Sequence, residues 1–407
     1  MNLEKKVPEI RFHGFSRDWQ NKEIGSTLGE TKRPVELLDN ELYQLVTVKR
    51  RNEGVVPRAI LKGKDILVKN YYGIKAGDYL ISKRQVVHGA NGIVPESLDN
   101  AVVSNEYLVL TDSDETTAKF WTVISKRPEM HKLFFISSYG VDIEKLVFDV
   151  SDWKSRTITI PDLAEQNAIT AHFQKLDSLI KQHQQKHDKL SHLKKAMLEK
   201  MFPKQGETVP EIRFKGLSGE WEEKVLGTDV TDIIGGGTPS TSISEFWDGD
   251  IDWYSPTEIG DNVYAKGSRK KITALGLKSS SAKILPAGRT VLFTSRAGIG
   301  DMAILARSGA TNQGFQSFVV KEGFSPYFIY SIGKQIKEFA LKHASGSTFL
   351  EISGKQLGRM KILIPCEKEQ IAIGNYFQKL DTLIDQYQQQ ITKLNNIKQA
   401  CLSKMFV

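Results

Sequence analysis

The chain has 407 residues, with 56 lysines and arginines against 48 aspartates and glutamates, a net charge of +8 and a pI near 9.1. That length exceeds one typical domain and fits two or three. No apolar run reaches the ~18 residues of a membrane span, and the charged segment from Met1 to Pro8 lacks the apolar stretch of a secretory signal. The only cysteines, Cys366 and Cys401, exclude a disulfide scaffold and fit a reducing cytosol, so a cytoplasmic protein is expected. Mild basicity permits an acidic partner such as nucleic acid without requiring one.

In chain order, the first distinctive string is VPEIRFHGFSRDW at 7–19, which returns as VPEIRFKGLSGEW at 209–221. The body that follows, 20–157, alternates short β-type runs with turn signals. Strands are predicted at 43–48, 66–69, 79–82 and 102–110, and a helix at 115–125. Polar and basic side chains gather at the turns: Lys83, Arg84, His88 and Asn91, then Ser104 and Asn105.

From Pro161 to Phe202 there is no glycine and no second proline. Pro161 suits a first helical turn, and Asp162 with Glu165 makes a capping pattern. Apolar residues recur mostly three and four apart, at Leu176, Leu179, Ile180, Leu190, Leu193, Met197 and Met201, as in a coiled-coil seam. A helix of roughly 38 residues would be about 57 Å long. His183 and His187 have a spacing that can bind zinc, but the second repeat carries Tyr387 and Ile391 there, which favours a packing role.

The second body, 222–360, opens on Gly235-Gly236-Gly237, read as a turn. Strands are predicted at 290–294, 302–306 and 316–320, and a helix at 328–343. Its polar turn residues are Ser295, Arg296, Thr311, Asn312 and Gln313. Residues 365–406 then repeat 161–202, with Leu380, Ile384, Leu394 and Ile397 on the seam. Neither helix is apolar all round, so each is expected to pack against the other, giving an approximate two-fold symmetry.

The repeat makes 407 about twice 203. Residues 1–205 carry 32 basic and 27 acidic side chains, a net +5, and 206–407 carry 24 and 21, a net +3. Two near-copies of a frame hold two unlike bodies, which suggests one architecture with two specificities. Arg and Lys can donate to guanine O6 and N7, and Asn and Gln can pair with adenine N6 and N7, so the turn clusters are candidate DNA readers. Ordinary turn capping is the competing reading for any one of them. No P-loop, dinucleotide fingerprint, Asn-Pro-Pro methyltransferase motif, Pro-Asp…Lys nuclease motif or nucleophile motif is found. A self-sufficient nuclease–methyltransferase is therefore disfavoured, and no catalytic or metal residue is assigned.

With two unlike bodies each followed by a P-x-x-x-E-Q-x-x-I…F-Q-K-L-D helix, the chain resembles the specificity subunit of Type I restriction–modification systems. The likeness extends to GGGTPSTSISEFWDGDID at 235–252, SRAGIGDMAIL at 295–305, TNQGFQSF at 311–318 and VVHGANGIVPESLDNAVVSNEYLVL at 86–110. It implies an α+β fold in which two target recognition domains are separated by two long helices packed as an antiparallel coiled coil, a pseudo-two-fold tandem repeat. The implied division is a first recognition domain at 1–157, a helical spacer at 158–205, a second recognition domain at 206–360 and a second spacer at 361–407. Each recognition domain would read half of a bipartite site in double-stranded DNA. The helices would set the gap and dock two modification subunits, to which restriction subunits are added. The chain would hold no cofactor; S-adenosylmethionine, ATP and magnesium would belong to the partners. A coiled-coil scaffold without DNA readout is the alternative.

Overall fold

The computed structural model describes residues 7–67, 70–260, 262–296, 298–346 and 350–407. The chain divides into two compact units, Met1–His183 with Gln390–Val407, and Gln184–Gln389. Each unit is an α+β body completed by parts of both long helices.

In the first unit the strands are β1 Gln20–Glu23, β2 Leu42–Lys49, β3 Gly54–Lys62, β4 Tyr71–Gly73, β5 Tyr79–Ser82, β6 Asn91–Ile93, β7 Val102–Ser104 and β8 Tyr107–Thr111. Helices α1 Ala118–Ile124 and α2 Pro128–Ile136 follow, then β9 Thr157–Ile160 and α3 Leu163–Lys200. One sheet orders Pro34–Val35, β4, β7, β2 and β3, and a second orders Gly29–Glu30, β8, β5 and β6. Strand β3, which carries Pro57, is not among the runs expected from the sequence. It is an edge strand, and Pro57 sits opposite Val46 at a register shift, where no ladder donor is required. The run expected at 66–69 is not a strand at its start: Ile66 ends a short 3₁₀ turn and is buried, and residues 68–69 lie outside the described residues. The run expected at 102–110 is two strands broken by a turn at Asn105 and Glu106.

In the second unit the strands are β10 Glu222–Val225, β11 Thr231–Gly235, β12 Trp247–Tyr254, β13 Thr290–Phe293, β14 Met302–Leu305 and β15 Gln316–Val320. Helices α4 Pro326–Ser331 and α5 Gly333–His343 are followed by β16 Lys361–Ile364 and α6 Glu367–Lys404. The main sheet orders β11, β15, β13, β14 and Tyr264–Ala265. Its central strands β13 and β14 are buried at every position, which is why they read as continuous apolar runs.

Helices α3 and α6 each have 38 residues. They run in opposite directions in both units. In the first, Phe173 packs on Phe406 and Asp177 pairs with Lys398; in the second, Phe377 packs on Phe202 and Asp381 pairs with Lys194 at 2.5 Å. The short N-terminal strings are docked in the same reciprocal way. Arg11 donates twice to Glu165, both at 2.7 Å, and Arg213 donates twice to Glu369 at 2.8 and 2.5 Å. Trp19 meets Phe406 edge-on and Trp221 meets Phe202 edge-on, with centroids 5.9 and 5.8 Å apart. The backbone N–H of Ile10 donates to Lys404 O, and that of Ile212 to Lys200 O. Thus these repeated residues of the frame have the same task in both copies.

Asp162 does cap α3, accepting from the Glu165 N–H at 3.0 Å. Glu165 does not return the bond; its carboxylate is turned to Arg11 instead. The expected seam needs one correction. Leu176 and Leu380 are buried, and Ile180, Leu190, Ile384 and Leu394 are half-buried, but Leu193 and Ile397 are each 38% exposed. They occupy equivalent positions in the repeat. The residues after them, Lys194 and Lys398, turn inward to Asp381 and Asp177 and take the place on the contact face.

Candidate nucleic-acid interface

The polar turns of the first body are brought together by strand pairing. Tyr107 of β8 lies opposite Ser82 of β5, so the turn after β5 and the turn between β7 and β8 are adjacent. The Lys83 N–H donates to Glu106 O at 2.9 Å, and its ammonium donates to Asn105 O at 2.8 Å. Arg84 donates to the Glu106 carboxylate at 2.8 Å, a contact that raises the guanidinium pKa in an exposed setting. Lys83, Arg84, Ser104 and Asn105 therefore form one rim, although twenty residues separate the two strings. His88 lies past the same turn, its Nε2 3.4 Å from Glu144.

Asn91 is not on that rim. It lies on β6 opposite Ile81 and is 2% exposed, so its amide faces the interior and offers nothing to a duplex in this conformation.

In the second body, the Ser295 N–H donates to Gly314 O at 2.8 Å, tying the loop after β13 to the turn before β15. Arg296, Asn312 and Gln313 meet there. Arg296 is half-buried, with one guanidinium nitrogen 3.9 Å from Glu351. Asn312 spends its amide oxygen on the Gly314 N–H at 2.8 Å, and Gln313 is exposed and accepts from Thr238. Ser295 and Thr311 are 0% and 1% exposed, so they build the rim from behind rather than facing outward. Ala297 lies outside the described residues. The loop closes on Thr294, whose hydroxyl donates to Gly298 O at 2.6 Å and accepts from the Asp301 N–H at 2.9 Å.

The glycine cluster has a packing cause. A Cβ at Gly236 would lie 2.0 Å from Asn312 O, and one at Gly237 would lie 2.3 Å from the Ser281 hydroxyl. This close approach carries Thr238 onto Gln313 and adds it to the rim. Sequence reasoning also missed Glu351, which arrives from about 55 residues downstream of Arg296 with no local signal.

Another group escaped the sequence: Arg50 and Arg51, on the hairpin between β2 and β3. Arg50 donates to Gln85 at 2.8 Å and to Glu144 at 2.7 Å, so the hairpin tip abuts the Lys83–His88 turn. Its signal was present as Arg-Arg-Asn between two β runs, but nothing local connects it to residue 85.

Among the described residues no helix is long and apolar enough to cross a membrane, and no group of three His, Cys, Asp or Glu could hold a metal ion.

Residues 218–396 match the family model for the Type I restriction modification DNA specificity domain. The chain is 33% identical over 192 residues to the Type I restriction enzyme MjaIX specificity subunit of Methanocaldococcus jannaschii, a match that covers 46% of this chain and 44% of that relative. The matched stretch thus spans less than half of the M. jannaschii protein. The likeness to the Type I restriction enzyme HindI specificity subunit of Haemophilus influenzae is 22% over 386 residues, covering 78% of this chain and 82% of the relative. By fold, the chain is similar to the crystal structure of the Type-I restriction-modification system S subunit from M. genitalium, with a TM-score of 0.56 at 16% identity over 98% of this chain and 99% of that one.

Proposed function

We propose that the chain is a specificity subunit of the Type I restriction–modification kind, and that it selects the DNA sequence for a methyltransferase and endonuclease complex. The observation that carries this reading is the contrast between frame and bodies. Arg11–Glu165 and Arg213–Glu369, Trp19–Phe406 and Trp221–Phe202 are the same contacts made twice. The rims they support are unlike: Lys83, Arg84 and Asn105 in one, Arg296, Asn312 and Gln313 in the other. Identical frames suit two copies of one partner, and unlike rims suit the two halves of an asymmetric site.

In this reading each body reads one half-site of double-stranded DNA, with bases specifying and phosphates positioning. The helices α3 and α6 set the gap and dock two modification subunits, which supply S-adenosylmethionine-dependent methylation. Restriction subunits supply ATP- and magnesium-dependent cleavage, and this chain contributes no catalytic group. Linking two readers in one chain raises affinity through effective concentration.

The test exchanges residues 20–157 for the body of another specificity subunit and maps methylated bases genome-wide in cells carrying the whole system. One half of the motif changes and the other stays. A change in both halves, or in neither, would sink the modular reading. Gel shifts at graded salt, with and without modification subunits, address the scaffold alternative: binding with neither salt slope nor sequence preference would favour it.

A further inference from the structure

The first unit contains a cleft of about 700 Å³ that neither rim includes. Its cationic or titratable lining is Arg50, Arg51, His88, Lys126, His131 and Lys398, and no carboxylate lines it. The carboxylates at its border are already engaged: Glu144 with Arg50 and His88, Asp177 with Lys126 and Lys398. Arg51 pairs with no carboxylate among the described residues. With those pairs made, Arg51 is the cation left over at the opening, and an anion entering there would be favoured.

A further observation points the same way. Arg51 and Asn52 both adopt the left-handed conformation, with φ of 59° and 57°. Asn tolerates that region, but an arginine there is strained where a glycine would not be. The strain is held by backbone bonds from Arg51 N to His88 O at 2.7 Å and from Asn52 N to Gly89 O at 2.8 Å. These bonds fix Arg51 over the opening.

The matching place in the second unit has Lys194 and Leu198 where the first has Lys398 and Leu402, but two carboxylates, Asp301 and Asp381, line it, and it encloses about 260 Å³. The repeated frame therefore does not by itself produce a basic cleft; the first body creates it.

We propose that this cleft is a phosphate-binding site that grips a backbone phosphate of duplex DNA beside the half-site read by Lys83, Arg84 and Asn105. It rests on the reading of the chain as a DNA specificity subunit. The Arg50–Gln85 bond makes the cleft continuous with that rim, so a strand passing the rim reaches the cleft next. The grip is independent of sequence and positions the first body on its site.

Arg51→Gly tests this, because glycine relieves the left-handed strain while removing the guanidinium. The full chain carrying Arg51→Gly keeps or raises its thermal midpoint. In complex with modification subunits, it binds cognate and scrambled duplexes several-fold more weakly, by the same factor. The slope of log affinity against log salt falls by about 0.9, the value for one lost phosphate. An unchanged slope overturns the proposal. A lowered midpoint also counts against it, since the arginine would then be structural.

A second arm titrates the isolated full chain with inorganic pyrophosphate and follows the histidine ring resonances by NMR. Those of His88 and His131 move in the wild type and move less in Arg51→Gly; no movement in the wild type overturns the site. Pyrophosphate binding without any change in duplex salt slope would make the cleft a free-phosphate site and overturn the assignment to DNA. Failure of the broader function is distinct from either result: it appears as equal wild-type affinity for cognate and scrambled duplexes.

Discussion

At the scale of single residues, exposure decides which polar side chains can meet a base. Arg296 is held loosely, 3.9 Å from Glu351, so its guanidinium can leave that carboxylate for a guanine edge. Arg296→Ala is expected to relax base preference at one position of one half-site, at a cost of about 1–3 kcal/mol. Mapping methylated sites checks it; an unaltered motif would remove Arg296 from the readers. Ser295 and Thr311, from the same turns, face inward, and no pattern in the sequence distinguishes them from Arg296 and Asn312. Their orientation follows from hydrogen bonds between loops, such as Ser295 N–H to Gly314 O, which join segments about twenty residues apart. His131 illustrates a different residue-scale effect. Burial holds its imidazole below the ordinary value, so the unfolded chain takes up the proton first as pH falls. Its contribution to stability is intact above about pH 6.5 and is lost progressively below it. Denaturant midpoints measured from neutral to mildly acidic pH should show that decline, and His131→Gln should flatten it.

At the scale of elements, the long helices were legible because their signal is local. No glycine from Pro161 to Phe202 and only Gly374 from Pro365 to Phe406, with apolar side chains three and four apart, leave few alternatives to a helix. Which residues touch was less legible. Leu193 and Ile397 fit the spacing but are exposed, because the contact face drifts around a helix of 3.6 residues per turn and a lysine reaches inward at the next position. The two classes of leucine should behave differently. Leu380→Asp places a carboxylate in the second unit's core, beside the existing Asp381 carboxylate, and should cost about 2–5 kcal/mol and disrupt partner assembly. Leu193→Asp should stay within about 0.5 kcal/mol. Urea unfolding of both variants tests the contrast, and equal losses would place Leu193 back on the seam. The paired arginine clamps belong to this scale as well. Glu165 and Glu369 are 1% exposed, so removal of either arginine would leave a buried charge unpaired.

At the scale of the whole molecule, each core is assembled from distant parts of the chain. The first unit's core includes Trp19, Phe120, Trp153 and Phe173 together with Leu402, Met405 and Phe406 from the other end of the sequence. The second unit's core includes Met201 and Phe202 from the end of α3. A lesion at the C-terminus should therefore weaken the unit that holds the N-terminus. Phe406→Ala is expected to destabilise the first unit by about 3–5 kcal/mol. Hydrogen exchange would locate the loss: protection should fall around Trp19 and Phe120 and persist in β13 and β14. Lost protection confined to the second unit would refute this division of the cores.

The sequence by itself determined the duplication, the two 38-residue helices and some of the strands, because all of these reside in local pattern or in self-similarity. It marked Lys83, Arg84, Asn105, Arg296, Asn312 and Gln313 as chemically suited to DNA. Only the tertiary structure decided that Lys83 and Asn105 share one rim, that Asn91, Ser295 and Thr311 are sealed behind the surface, and that Arg51 overlooks a basic cleft. The physical reason is the same in each case. Strand pairing and loop-to-loop hydrogen bonds join residues far apart in the chain, and a side chain's orientation follows from those bonds rather than from its neighbours in sequence.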